Sequence, residues 1–185
     1  MKRTILTIIL AVFAITAIAQ NEETSIRVPN GYQGFLEEGN SWHFDKNMPT
    51  SINLSTTHGF YFNGHMFVGV GLGFEFNSDF VMVPFYTNLR YVFNNHSTVS
   101  PVLSLRLGSY LSQDIGAYGD LAFGVRFASK KDFAVNVCLA GTYYDRMEVS
   151  EWVEEYDEHN VYVSGHYVQH IVSPSGISLR IGIEW

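Results

Sequence analysis

Seven histidines and one cysteine are the residues most able to do chemistry in this chain of 185 residues. His159, His166 and His170 fall in or beside a segment that also holds Glu148, Glu151, Glu154, Glu155, Asp157 and Glu158, with no Lys or Arg. Imidazole suits zinc and clustered carboxylates suit calcium. Yet no tight ligand spacing with a turn glycine occurs, so the segment reads as a solvated acidic loop with no metal. His58, in Ser55-Thr56-Thr57-His58-Gly59, raises the reading of a hydrolase acting on lipid or peptide, since His can work with Ser or a carboxylate. It shares the side of Leu54 and Phe60, however, with no evident nucleophile partner, and reads as a histidine at an interface. Cys138 reads as a small packed residue, since no neighbouring base makes it a nucleophile. Gly69-Val70-Gly71-Leu72-Gly73 is not a phosphate-cradling loop, because no helix follows it. The expectation is a non-enzymatic protein without a cofactor.

The elements that carry these residues are strands. Charged residues make up 16% of the chain, against roughly 25% in soluble proteins. Aromatic residues reach 15%. Eight alternating segments recur, at residues 31–42, 50–62, 65–76, 80–93, 98–111, 117–128, 132–146 and 175–185. Asn63-Gly64, Asn94-Asn95-His96 and Ser129-Lys130-Lys131 are tight connections, whereas the last connection, 147–174, is long. Within it, 147–156 and 160–172 read as a protruding hairpin that extends the last two strands, with Pro174 at a bulge or break.

Before the strands, residues 1–19 combine Lys2 and Arg3, an apolar run and Ala17-Ile18-Ala19, the pattern of a cleaved export signal. Loss of Lys2 and Arg3 moves the net charge from –7 to –9, which excludes nucleic-acid binding. Residues 20–30 then form a short tail, and 31–185 the barrel. No later apolar run reaches the roughly 18 residues a spanning helix needs. Short turns on one side and long loops on the other match an even-stranded transmembrane barrel.

Alternation alone does not say which face looks outward. A secreted or periplasmic lipocalin-like barrel binding an apolar small molecule also alternates, with its apolar face inside. Three features favour the opposite orientation. Glycines crowd the polar face beside isolated arginines, which suits a narrow interior filled by side chains. Rings gather at strand ends: Phe60, Phe62, Tyr91, Phe93, Phe127, Phe133 and Trp185 towards the short turns, and Trp42, Phe74, Phe76, Phe80 and Tyr143 towards the loops. Such girdles mark two membrane interfaces. Finally, each of Arg90, Arg106, Arg126 and Arg180 facing lipid near the midplane would cost ~2–4 kcal/mol. They are expected inside, in a charge network with Glu37, Glu75, Asp120 and Glu184. One residue resists: the parity of Tyr32, Leu36 and Trp42 turns Glu38 outward, so either a bulge intervenes or Glu38 lies near an interface.

Gly31-Tyr32-Gln33-Gly34-Phe35, Ser55-Thr56-Thr57-His58-Gly59, Phe67-Val68-Gly69-Val70-Gly71 and Ile177-Ser178-Leu179-Arg180 give the chain a likeness from about residue 31 to its end. It resembles the small outer-membrane β-barrel family of Gram-negative bacteria, the OmpA/OmpX-like class. The resemblance implies an eight-stranded antiparallel up-and-down barrel in contact with outer-membrane lipid. It also implies that Ile177, Leu179, Ile181, Ile183 and Trp185 form the C-terminal signal read by the barrel-insertion machinery, with Trp in place of the commoner Phe. A monomer with a structural or surface-recognition role is expected, its extracellular partner meeting the 147–174 loop.

Overall fold

The computed structural model describes residues 28, 30–45, 48–77, 81–94, 96–111, 115–130, 133–156 and 162–185. The expected export signal and Phe80 lie outside them. The described residues form ten strands: β1 (Gly31–His43), β2 (Ser51–Phe62), β3 (Met66–Phe76), β4 (Val81–Val92), β5 (Val99–Leu111), β6 (Ile115–Lys130), β7 (Phe133–Tyr144), β8 (Met147–Tyr156), β9 (Tyr162–Val172) and β10 (Ser175–Glu184).

Eight of them close an antiparallel barrel in the order β1-β10-β7-β6-β5-β4-β3-β2. Each barrel strand pairs with its sequence neighbour, and β1 meets β10 from Phe35↔Glu184 to His43↔Gly176. Closure runs one step further, because Gly34 and Trp185 exchange backbone hydrogen bonds of 2.9 and 3.0 Å. Every barrel edge is thereby paired, which removes the exposed N–H and C=O groups that an apolar solvent does not tolerate.

Local chemistry sets the register. Asn63 and Gly64 both take positive φ, 54° and 66°, the geometry of a two-residue hairpin turn that matches strand twist. Asn30 Oδ1 accepts a hydrogen bond from the Gly64 amide at 2.7 Å, tying the start of the barrel to this turn. Pro84 lacks an N–H, and the β3–β4 ladder skips its position, passing from Leu72↔Phe85 to Glu75↔Met82.

The strand faces follow strict alternation. Along β3, Met66, Val68, Val70, Leu72, Phe74 and Phe76 are exposed, while Phe67, Gly69, Gly71, Gly73 and Glu75 are buried. Along β10, Ile177, Leu179 and Ile183 are exposed, whereas Ser178, Arg180 and Glu184 are buried. Arg106, Arg126 and Arg180 occupy the centre, while Leu105, Val125 and Ile181 lie on the outer wall, partly exposed. A lipocalin-like container for an apolar ligand needs the reverse arrangement.

The last long connection forms the expected hairpin, with the break at Pro174. β8 and β9 pair with each other from Met147↔Val172 to Tyr156↔Tyr162, but form a separate two-stranded sheet and do not continue β7 and β10. The ladder breaks because Arg146 adopts a left-handed φ of 59° on one side and Pro174 interrupts the other.

Candidate functional site

The lumen is filled in levels. Towards the short turns, Phe35, Tyr61, Phe67, Val92 and Val102 pack with Val28 of the tail into an apolar plug. Phe35 and Phe67 meet edge to face at 4.9 Å, a favourable ring geometry.

Above the plug lie the charges. Arg126 donates to Glu184 through Nε at 2.9 Å and Nη2 at 3.0 Å, and the Asn136 amide adds a third donor at 3.3 Å. Glu37 takes Arg90 on Oε1 at 2.9 Å and Arg106 on Oε2. Arg180 donates to Asp120 at 2.9 Å. All seven of these charged side chains are buried. Burial of one such charge alone would cost several kcal/mol, so the pairing is a condition of the fold. Rings assist: the Arg90 guanidinium lies 4.2 Å from the Phe35 ring centre and that of Arg106 lies 4.9 Å from Tyr86, distances at which a cation is drawn to the ring face.

Glu75 belongs elsewhere. It sits nearer the loop end, where Ser51 and Tyr144 both donate to its carboxylate and His43 Nε2 lies 3.4 Å away. Hydroxyl donors, not an arginine, satisfy it, with His43 Nε2 also 3.2 Å from Ser51 Oγ, because β3 carries it above the level of the guanidinium groups. Met48, Met82, Tyr86, Tyr110, Tyr118 and Tyr144 fill the barrel around this level. Between these two polar levels is a cavity of about 20 Å³, lined by Glu75, Arg106, Tyr118, Asp120, Tyr144 and Arg180 among others. That is room for about one water molecule, too little for a solute. Cys138 is buried at mid-barrel.

The outer wall carries the rings expected at strand ends. Tyr32, Phe60, Phe62, Tyr91, Phe93, Phe133 and Trp185 are exposed on the turn side, and Trp42, Phe74, Phe76 and Tyr143 on the loop side. Phe127 is half-buried. Trp185 lies over Gly34, where a Cβ would sit 2.8 Å from its indole ring.

Glu38 does point outward, and neither anticipated explanation applies. The β1–β2 register runs unbroken from Gly31↔Tyr61 to Ser41↔Ser51, so no bulge intervenes. Glu38 lies four residues from Trp42 and six from Tyr32, about 13 and 20 Å along the strand, well inside the band between the rings.

His58 has two partners that the sequence did not reveal. The Tyr32 hydroxyl lies 2.6 Å from Nδ1 and Thr56 Oγ1 lies 3.0 Å from Nε2. Thr56 in turn donates to the Phe35 carbonyl at 3.1 Å. With that proton committed, Tyr32 donates to Nδ1, and Nε2–H donates to Thr56. Both ring nitrogens of His58 and the hydroxyls of Tyr32 and Thr56 are thereby engaged, and Thr56 is not poised to give a proton to the imidazole. The signal was in the register: Tyr32 lies opposite Phe60 and Gly34 opposite His58, which places Tyr32 diagonal to His58 on one face.

The β8–β9 hairpin presents rings to solvent. Trp152 and Tyr167 are cross-strand partners, edge to face at 4.8 Å, with the indole lying against Gly165. Tyr167 is 68% exposed and Ile171 71%. The base is pinned to the barrel: Tyr110 donates to the Asp145 carbonyl at 2.6 Å, and the Asp145 amide donates to Ala117 at 3.0 Å. His166 and Glu154 are exposed, while His159, Asp157 and Glu158 lie outside the described residues. Among the described residues no three His, Cys, Asp or Glu side chains converge as a metal site.

No family model matches the chain, and no curated protein matches it. Solved structures do. The barrel is similar to the crystal structure of Neisserial surface protein A (NspA), with a TM-score of 0.58 at 14% identity, over 83% of this chain and 94% of that one. The N-terminal β-barrel domain of Pseudomonas aeruginosa OprF aligns at a TM-score of 0.49 and 11% identity, over 85% of this chain and 100% of that domain. The chain is thus an all-β, closed, eight-stranded antiparallel barrel with a fold similar to that of Neisserial surface protein A.

Proposed function

We propose that this chain is an exported, integral outer-membrane protein that conducts nothing through its centre and acts structurally and by surface recognition. The observation that carries the reading is the inversion of the barrel: apolar side chains cover the outer wall and eight charged groups fill the core. Water would penalise that wall, and hydrocarbon would not. The two sets of rings, Trp42, Phe74, Phe76 and Tyr143 above and Phe60, Phe62, Tyr91, Phe93, Phe127, Phe133 and Trp185 below, then lie at the two lipid interfaces. Ile177, Leu179, Ile181, Ile183 and Trp185 serve as the insertion signal. Residues 1–19 direct export.

Recognition falls to the β8–β9 hairpin. A Trp152–Tyr167 pair held on a short sheet offers a rigid apolar contact with little entropy to lose, and the acidic residues of 147–158 favour a basic partner. Fractionation tests the location: the chain should be sarkosyl-insoluble and change gel mobility on heating. Release in soluble form by osmotic shock would refute it. For recognition, cells displaying the chain with Trp152→Ala and Tyr167→Ala should lose any adhesion that the unaltered chain confers.

A further inference from the structure

The outer wall is not uniformly apolar. On β3 to β7 and β10, outward residues within the band are aliphatic, aromatic, Gly, Ala or Pro, apart from Thr87, whose hydroxyl donates to the Leu107 carbonyl at 3.0 Å, and Ser109 near the loop end of β5. On β1 and β2 the outward residues include Tyr32, Glu38, Asn40, Thr56 and His58. Tyr32, His58 and Thr56 satisfy one another, as described above. Glu38 and Asn40 do not: both are exposed, and neither has a side-chain partner among the described residues.

Their surroundings are an open groove of about 490 Å³, walled by Leu36, Leu54, Leu179, Ile181 and Ile183. A carboxylate and a primary amide thus stand in an aliphatic trough at mid-band. Ionisable groups facing the hydrocarbon are costly and almost always find a partner. Lipid headgroups lie too far away to serve as one here, since Glu38 is about 13 Å along the strand from the ring level of Trp42.

From this pattern we infer that the β1 face is the interface of a two-fold homodimer, in which Asn40 of each copy donates to Glu38 of the other. The inference rests on the membrane-spanning reading and replaces the monomer expected from sequence. Its warrant is self-complementarity. A two-fold axis along the membrane normal keeps heights unchanged and reverses left and right. Strands tilted about 35–45° to the normal then cross where the two β1 strands meet, near Gly39, whose position faces inward and leaves the crossing open. On either side of that crossing, residue 38 of one copy lies beneath residue 40 of the other. Residues two apart are separated by about 6.6 Å along a strand, of which roughly 5 Å lies along the normal at that tilt. A Glu and an Asn side chain span such a gap. The amide supplies the donors and the carboxylate the acceptors, twice over. Between two copies, the Leu and Ile walls meet each other and exclude lipid from the polar centre.

The test uses the full chain carrying Cys138→Ala, refolded into phosphatidylcholine vesicles at a protein dilution that suppresses random encounters. Cysteine replaces Leu54, beside the groove, or Leu103 on β5, across the barrel. Short bis-maleimide cross-linking should give dimers at least ten times faster from Leu54→Cys than from Leu103→Cys. Energy transfer between labelled copies should show Glu38→Leu and Asn40→Leu each weakening association about tenfold, the effect of losing two membrane-buried hydrogen bonds. Glu38→Gln, which still accepts, should associate normally. Equal cross-linking at the two sites, or unchanged association in Glu38→Leu, would overturn the dimer while leaving the barrel in place. Absence of a heat-modifiable band from the vesicles would overturn the membrane reading, and the dimer with it.

Discussion

The guanidinium of Arg126 meets the carboxylate of Glu184 edge to edge, with Nε 2.9 Å from Oε2 and Nη2 3.0 Å from Oε1. This fork fastens β10 to β6 through the barrel interior, since the two strands are not neighbours in the sheet. Both side chains are buried. Glu184→Leu therefore strands a guanidinium and should lower stability by about 3–5 kcal/mol, and the double change Arg126→Met with Glu184→Leu should recover most of the loss. Urea unfolding in vesicles would measure both. Equal losses in the single and double variants would contradict the pairing argument.

The orientation of the wall gives a second expectation. Leu121 is exposed and pairs with Leu105 of β5. Leu121→Arg should cost about 2–4 kcal/mol in a bilayer, as arginines on lipid-facing barrel positions do near the midplane. A surface facing water would register almost nothing, so a neutral result in vesicles argues against hydrocarbon contact.

The filled centre predicts exclusion. With a cavity of about 20 Å³, liposomes carrying the chain should swell no faster in small sugars than empty ones. Rapid uptake would mean that the ion pairs open.

Trp185 tests the seam. Gly34→Val would place a Cβ about 2.8 Å from the indole ring and push it off the barrel. The expected cost is about 1–3 kcal/mol, the usual range for overpacking. With Trp42 and Trp152 replaced by Phe, Trp185 fluorescence in vesicles should shift as the ring moves. An unchanged spectrum would show that the contact is loose.

Much of this fold can be read from period-two alternation, because a one-residue slip would exchange the two faces of a strand and expose every arginine. The face of Arg90, Arg106, Arg126 and Arg180 is therefore written in the chain. Their partners are not. Arg180 reaches Asp120 across the lumen, and such matches depend on the stagger between distant strands, which no local pattern records. The same gap hid the link between Tyr32 and His58 and left Glu75 grouped with the arginines. It also hid the other half of the break at the base of the hairpin, the left-handed turn at Arg146.

The seam between β1 and β10 also bears on assembly in time. Every other ladder in the barrel joins strands that follow one another, apart from β7 with β10, which skips only the hairpin. Those hairpins form with short loops to close, whereas joining Gly34 to Trp185 means closing nearly the whole polypeptide at once, the largest entropic step. The ring must therefore shut last. Until it does, two strands present raw edges, and any delay there leaves the nascent sheet open to pairing with the wrong chain.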